Sequence, residues 1–231
     1  MGKKMSHFAL LREETNLMKY YWADKKTQKK AEEVEEQALP QFIVLNTDGG
    51  GSSSSGAVIT DDNCIMFYGE VSEDNAKVLN KTLRSMDKDL QVVRVKYGVQ
   101  VPIKLYISSY GGSIFAGFST VDTIKSLRTP VHTYIDGSAA SAATLISVVG
   151  EKRFIHQNSF MLIHQLSSMM WGKFEEFKDE MENLEMLMAR IKEIYKEHCT
   201  IPKKELDEIL KHDLWLDSAK CVKWGLVDEI V

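Results

Sequence analysis

The stretch that decides the fold begins at the last residue of an apolar run and reads Ile135-Asp136-Gly137-Ser138-Ala139-Ala140-Ser141-Ala142-Ala143. The run that leads into it, Val131 to Ile135, is rich in β-branched and aromatic residues, which predicts a strand. The small side chains that follow allow the backbone to turn sharply into a helix. A serine at the start of a helix lies beside N–H groups without helical partners, and these groups can face a developing oxyanion. Ser141 is therefore a candidate nucleophile.

A less specific interpretation of Ser141 stays open at this point. Serines at helix starts are usually N-caps, and Ser138 fits that role as well as Ser141 does. Neither serine lies in a Gly-x-Ser-x-Gly elbow, so the lipase-type hydrolases gain no support.

Around this stretch, apolar runs alternate with amphipathic segments, a pattern typical of βαβ units and a mostly parallel sheet. The predicted strands are Cys64 to Tyr68, Ile103 to Ser108, Val131 to Ile135, Arg153 to Ile155 and Phe160 to His164. The amphipathic segments between them are Asn75 to Met86 and Phe115 to Leu127. The sequence therefore predicts an α/β fold.

A long amphipathic helix is predicted from Phe174 onward. Its apolar residues recur at steps of three and four: Phe174, Phe177, Met181, Leu184, Leu187, Ile191 and Ile194. The stripe is longer than a domain of this size needs for its own core, which predicts that the helix protrudes and packs against a partner subunit. The alternative is that it lies wholly across its own sheet.

Two further elements carry groups that can take part in catalysis. Gly111 and Gly112 follow the strand Ile103 to Ile107, where backbone N–H groups can meet a substrate, although a Gly-Gly pair is more often a tight turn. His164 ends an apolar run before an irregular segment, a position suited to a general base, although a structural histidine is the commoner occupant.

The composition excludes several classes of function. Twenty-nine basic and 33 acidic residues are intermixed and leave a net charge of −4, so nucleic acid is not an expected partner. No apolar run approaches the about 20 residues of a membrane span, and the charged start of the chain is unlike a signal peptide, so we expect a cytoplasmic protein. Three scattered cysteines, Cys64, Cys199 and Cys221, predict neither disulfides nor a zinc site.

The N-terminal region differs from the rest of the chain. Residues 1–48 are dense in charge and predict a solvated arm, and residues 49–56 form a Gly/Ser-rich linker or loop. Ala57 follows Gly56, so this run is not a phosphate-binding loop, which ends in Gly-Lys-Ser/Thr. We place the globular domain at residues 57–231.

From Cys64 to Val231 the chain resembles the proteolytic subunit of the Clp protease family. Four motifs in family order carry the resemblance: Ser109-Tyr110-Gly111-Gly112, Ala139-Ala140-Ser141, Leu162-Ile163-His164-Gln165, and Asp213 ahead of Trp215 and Ser218-Ala219. Among the nearby acids, the residue pattern alone does not favour Asp213 over Asp207 or Asp217, and only the resemblance selects it.

The resemblance implies the ClpP/crotonase-like α/β fold of repeated β-β-α units, with a protruding handle helix beginning at Phe174. It implies a serine endopeptidase with Ser141 as nucleophile, His164 as base and Asp213 as the residue that orients it. The N–H groups of Gly112 and Ala142 would form the oxyanion hole. No metal or cofactor is implied.

The resemblance also implies a peptide or unfolded-protein substrate and a homo-oligomer of stacked heptameric rings that encloses the sites. A partner AAA+ unfoldase would deliver folded proteins, whereas peptide hydrolysis itself needs no ATP. Two residues depart from the family pattern: Tyr110 replaces a proline, and Leu166 stands where a proline usually follows His-Gln. In place of a Gly-rich strand the chain carries the bulkier Ser167-Ser168-Met169-Met170-Trp171-Gly172, which predicts a different substrate groove. A plastid or viral setting would also fit such departures.

Three alternatives remain. A noncatalytic ring subunit would share the fold, but the chain keeps all three triad residues. A crotonase-type acyl-CoA enzyme would need an acid where Ser141 or His164 stands. A signal-peptide peptidase of related fold would use a serine-lysine dyad and a membrane anchor.

Overall fold

The computed structural model describes residues 56–231, so the predicted arm and all but the last residue of the Gly/Ser run lie outside the described residues. The strands are β1 (Val58–Asp61), β2 (Cys64–Tyr68), β3 (Ile103–Ser109), β4 (Val131–Ala140), β5 (Lys152–Ile155), β6 (Phe160–Leu162), β7 (Trp215–Leu216) and β8 (Glu229–Ile230). The helices are α1 (Glu73–Tyr97), α2 (Ile114–Ser126), α3 (Ala142–Val148), α4 (Phe174–His198), α5 (Lys203–Ile209) and α6 (Ser218–Lys223). None of these helices is long and apolar enough to span a bilayer.

The strands form one mixed sheet in the order β1-β2-β3-β4-β5-β8, with β6 paired to β4 and β7 paired to β6. β1 and β2 are antiparallel, whereas β2, β3, β4, β5 and β8 run parallel. The prediction of an α/β fold with a mostly parallel sheet is confirmed. β4 pairs with β5 along residues 132–135 and with β6 along residues 138–140, so its second half leads away from β5 toward β6 and β7.

One face of the sheet is buried and the other is partly exposed. Along β3 the side chains of Ile103, Leu105 and Ile107 are fully buried, whereas Lys104 and Tyr106 between them are half-buried. Apolar residues of α1, α2 and α3 cover the buried face and form the core with it. This arrangement gives the parallel strands a period-two pattern instead of continuous apolar runs.

Aromatic rings line the partly exposed face. Tyr134 on the central strand β4 stacks on Tyr106 of β3 at 4.6 Å between ring centroids and on Phe154 of β5 at 4.7 Å. Rings on neighbouring strands stabilise the pairing of those strands. The ladder therefore supports the register of the central strands from the partly exposed face.

The long helix α4 packs on the rest of the chain mainly through its C-terminal half. Ile191, Ile194 and Tyr195 are its buried residues. Near its start Phe174 is 72% exposed and Phe177 is 47% exposed. The helix therefore projects from the described part of the chain, as predicted, and it does not lie wholly across its own sheet.

Some boundaries differ from those that the sequence predicts. β4 does not end at Ile135 but continues to Ala140, so Ser138 lies within a strand and does not cap a helix. β6 ends at Leu162, two residues before His164. α1 extends to Tyr97, well beyond the apolar pattern that ends at Met86.

Candidate active site

Ser141 occupies the turn between β4 and α3 in an unusual backbone conformation. Its φ of 55° and ψ of −129° lie in a region that L-residues rarely adopt. The Ser141 side chain makes no capping hydrogen bond, so the interpretation of Ser141 as an ordinary N-cap is wrong. Its N–H donates to the carbonyl of Leu162 at 2.9 Å, which ties the turn to the end of β6. A strained residue held by its neighbours is a frequent feature of functional sites.

Gly111 lies directly against this turn. A Cβ atom placed on Gly111 would lie 2.6 Å from the Cβ of Ser141 and 2.7 Å from the carbonyl oxygen of Ala140. The φ of Gly111 is 93°, which also favours glycine. The buried Ser109 hydroxyl accepts the N–H of Gly111 at 3.1 Å. The glycine pair therefore does more than form a tight turn, because it lets the end of β3 contact Ser141.

Two backbone N–H groups beside Ser141 have no acceptor among the described residues. The bridge between Val71 and the glycine turn uses the carbonyl of Gly111 and the N–H of Ser113, at 2.8 and 2.7 Å, and leaves out the N–H of Gly112. Ala142 is the first residue of α3, where N–H groups have no helical partner. Two such donors can stabilise a carbonyl oxygen that gains negative charge.

His164 and Asp213 form a hydrogen-bonded pair. The Nδ1 atom of His164 lies 2.8 Å from Oδ1 of Asp213. A neutral imidazole that donates its Nδ1 proton to a carboxylate has a free lone pair on Nε2 and can accept a proton there. The His164 side chain is 28% exposed and that of Asp213 is 79% exposed, so solvent screens the charge of the carboxylate.

The other nearby acids have different partners. Asp207 forms an ion pair with Lys192 at 2.7 Å, and its pKa is lowered chiefly by that hydrogen bond. The Asp217 side chain accepts the N–H of Lys220 and caps α6. Of the three acids that the sequence left open, the structure brings Asp213 to His164.

Strand pairing carries His164 toward Ser141. Ala140 of β4 pairs with Leu162 of β6, and the chain leaves β6 two residues before His164. The N–H of Gln165 then donates to the carbonyl of Leu210 at 2.7 Å, which holds the segment in place. Within residues 56–231 no hydrogen bond joins the Ser141 hydroxyl to His164. In unliganded sites such bonds are often long and shorten when substrate binds.

Tyr110 and Trp215 form an aromatic pair beside Gly111 and Ser141. Their ring centroids lie 6.2 Å apart in an edge-to-face arrangement, with Tyr110 78% exposed and Trp215 45% exposed. Tyr110 precedes Gly111, and Trp215 pairs across the strands with Leu162, whose carbonyl binds the Ser141 N–H. The pair therefore adds an apolar surface beside Ser141.

Two residues near Ser141 have no signal in the sequence. The hydroxyls of Thr144 and Tyr195 lie 2.6 Å apart in the interior. Thr144 is in the small-residue run and reads as helix packing, whereas Tyr195 falls next to the stripe of α4. Only the folded chain shows that they meet.

Comparisons with known proteins agree with the fold. The family model described as Clp protease matches residues 46–231. The chain is 28% identical over 169 residues to the ATP-dependent Clp protease proteolytic subunit 2 of Treponema pallidum (strain Nichols), a match that covers 72% of this chain and 81% of that protein. It is also similar to the structure of a ClpP1 mutant from Listeria monocytogenes, with a TM-score of 0.64 and 25% identity over 74% of this chain and 92% of that chain.

Proposed function

The chain belongs to the Clp protease family, and we propose that it is a serine endopeptidase that uses Ser141, His164 and Asp213. The family and the Treponema relative support proteolysis as the general activity. The assignment of serine chemistry and of the individual residues is our proposal, and it rests on the geometry of the site.

In the proposed reaction, Nε2 of His164 takes the proton of the Ser141 hydroxyl as Oγ bonds to the carbonyl carbon of the substrate peptide. The N–H groups of Gly112 and Ala142 bind the oxyanion of the tetrahedral intermediate. His164 then gives the proton to the leaving amine as the C–N bond breaks. A water molecule repeats the sequence on the acyl-enzyme and releases the second product. Asp213 orients the imidazole through Nδ1 and stabilises its positive charge.

The observation that carries this proposal is the conformation of Ser141. Ser141 has a φ of 55°, its side chain makes no capping hydrogen bond, and the residue lies against Gly111 and directly before the free N–H of Ala142. A structural serine at this position would gain a capping bond in an ordinary extended conformation. The cost of the observed conformation, about 1–3 kcal/mol, is expected where the position serves chemistry.

The exposed apolar surface of α4 supports an assembled protein. Met169 and Trp171, just before the helix, are almost fully exposed, and Phe174, Phe177 and Met181 continue the surface along its first turns. Monomeric proteins seldom expose a contiguous surface of this kind. We propose that α4 packs between two stacked heptameric rings of this chain, which enclose the active sites.

The proposed substrates are short peptides and unfolded proteins. The Treponema relative is named as part of an ATP-dependent protease, which supports a partner AAA+ unfoldase that unfolds and delivers protein substrates. Hydrolysis of a short peptide would need neither this partner nor ATP, and the mechanism uses no metal or cofactor.

Replacing the nucleophile tests the proposed function. Ser141→Ala is expected to reduce hydrolysis of a short fluorogenic peptide to background without changing the assembly seen by light scattering. Ser138→Ala is the matched control, because Ser138 lies in β4 outside the turn and is expected to leave turnover unchanged. Full turnover by Ser141→Ala would contradict the assignment. Loss of activity only together with loss of assembly would point to a structural role for Ser141.

A further inference from the structure

Thr144 makes two hydrogen bonds to the peptide group between Ser141 and Ala142. The carbonyl oxygen of Ser141 accepts the N–H of Thr144 at 3.0 Å and the Thr144 hydroxyl at 2.6 Å. A peptide group is planar, and its C=O and N–H point in opposite directions. Fixing the carbonyl of Ser141 toward Thr144 therefore fixes the N–H of Ala142 in the opposite direction.

The Thr144 hydroxyl is in turn held by Tyr195 of α4. The two hydroxyl oxygens lie 2.6 Å apart. A threonine hydroxyl has a single proton, and the carbonyl of Ser141 can only accept, so the proton of Thr144 goes to that carbonyl. The phenol of Tyr195 must then donate to Thr144. The bonds form a directed chain from Tyr195 through Thr144 to the Ser141 carbonyl.

The two side chains of this hydrogen-bond chain are buried away from solvent. Thr144 is fully buried, and Tyr195 is 2% exposed. Burial raises the pKa of Tyr195, so the phenol keeps its proton, and remains a donor, throughout the neutral pH range. Water cannot readily replace a hydroxyl that is removed from this interior, so the remaining groups would lose a partner.

We propose that Tyr195 and Thr144 are positioning residues that orient the Ala142 N–H toward the oxyanion. The inference rests on the proposed function, because it assumes that this N–H stabilises the intermediate. It explains why a polar pair is buried between α3 and α4 directly under the strained turn. It also links α4 to the geometry of the site: the exposed N-terminal half of this helix is proposed to join the rings, and its C-terminal half carries Tyr195.

Three substitutions in the full-length assembled protein test the proposal. Tyr195→Phe removes the phenol hydroxyl, Thr144→Val removes the central hydroxyl at nearly constant volume, and Thr144→Ser keeps that hydroxyl. Complete loss of an oxyanion donor costs about 10²- to 10³-fold in kcat, so loss of its support is expected to cost about 5- to 50-fold, with Thr144→Val the more severe. KM is expected to stay within about twofold, because ground-state binding does not use the oxyanion donor.

A transition-state analogue supplies the readout that a structural role would not move. A peptide boronic acid forms a tetrahedral adduct with a catalytic serine, so its affinity should fall in parallel with kcat/KM in Tyr195→Phe and Thr144→Val. Thr144→Ser should restore both quantities to within about twofold of the wild type. Ile194→Val is the matched control: it alters packing one residue before Tyr195 without removing a hydroxyl, and we expect unchanged kcat.

The outcomes separate this inference from the proposed function. A wild-type chain that assembles but hydrolyses no peptide would overturn the proposed function. Normal turnover by the wild type, with unchanged kcat and boronic acid affinity in Tyr195→Phe and Thr144→Val, would overturn only the positioning role. An equal loss of kcat in Ile194→Val would also overturn it, because general loosening of the core would then explain the effect.

Discussion

Gly111 and Ser141 approach each other so closely that no side chain fits between them. A Cβ atom at Gly111 would lie 2.6 Å from the Cβ of Ser141, a distance that real Cβ atoms essentially never show. The nearest atoms on the other side of the contact include the carbonyl oxygen of Ala140 and the nitrogen of Ala142, which are backbone and cannot swing aside. The end of β3 and the turn after β4 are therefore fitted to each other through this glycine.

Gly111→Ala is expected to reduce kcat for a short peptide by about 10²-fold. The added methyl group would displace the turn that carries Ser141 and Ala142, and misplacement by about 1 Å can cost this much. Gly98→Ala is the control, because Gly98 also has a positive φ, of 71°, but an added Cβ would meet nothing within 4 Å. It should lower the free energy of unfolding by about 1 kcal/mol and leave kcat unchanged. Equal kcat in both variants would contradict the fitted contact.

Asp213→Asn is expected to lower kcat by about 10²- to 10³-fold with little change in KM. The neutral amide lacks the negative charge of the carboxylate that accepts the hydrogen bond from the Nδ1–H of His164, and it favours the wrong tautomer of the imidazole. The Asp213 side chain is 79% exposed, so the loss should be smaller than for a buried carboxylate. Steady-state kinetics on a fluorogenic peptide measures the effect.

Asp217→Asn serves as the matched control. Asp217 lies four residues further along the chain and caps α6, and asparagine is an equally good cap. Its kcat and thermal stability should match the wild type. If both variants lose the same activity, the pairing of His164 with Asp213 has no special role in the reaction.

Much of the fold could be predicted because local sequence and tertiary structure agree. The alternation of β3 follows its buried face, and the C-terminal part of the α4 stripe follows the buried Ile191 and Ile194, so the sequence shows both patterns. The full length of β4 could not be predicted, because Gly137 and the small residues after it have weak strand propensity. Pairing with β6 along residues 138–140 overrides that preference.

Some of the candidate site residues could likewise be predicted from local sequence patterns, and others could not. Ser141 and His164 stand where local patterns change, so their positions can be found in the sequence. The partner of His164 could not be selected, because three acids occupy similar surface segments and only the paths of β6 and β7 decide which one reaches it. The contact of Thr144 with Tyr195 has no local signature, since the two residues are 51 positions apart.

Phe177→Glu is expected to separate the proposed stacked rings. Phe177 is 47% exposed on the free part of α4, and a charge placed in an apolar interface has no partner to offset its desolvation. Sedimentation velocity should show single rings, and protein degradation should fall more than peptide cleavage. Glu182→Gln on the same helix should keep the wild-type assembly. A wild-type chain that is active as a stable monomer would contradict the enclosed chamber.

Deleting residues 1–40 is expected to leave folding and short-peptide hydrolysis nearly unchanged. The segment is dense in charge and weakly periodic, so it should contribute few buried contacts. Degradation of an unfolded protein could rise or fall, since an arm near the entrance of the proposed chamber can either obstruct substrate entry or recruit the partner that delivers the substrate. Parallel assays with a peptide and an unfolded protein make the comparison. Insoluble or inactive truncated protein would show that the arm belongs to the fold.

The central claim is that Ser141 is the nucleophile, and labelling by a serine-directed phosphonate tests it most directly. The assembled protein is treated with a peptidyl phosphonate, and the modified residue is located by mass spectrometry. We predict a single adduct on Ser141, formed much more slowly in His164→Ala and absent in Ser141→Ala. Modification of another serine, or complete inactivation of peptide hydrolysis while Ser141 stays unmodified, would contradict the account.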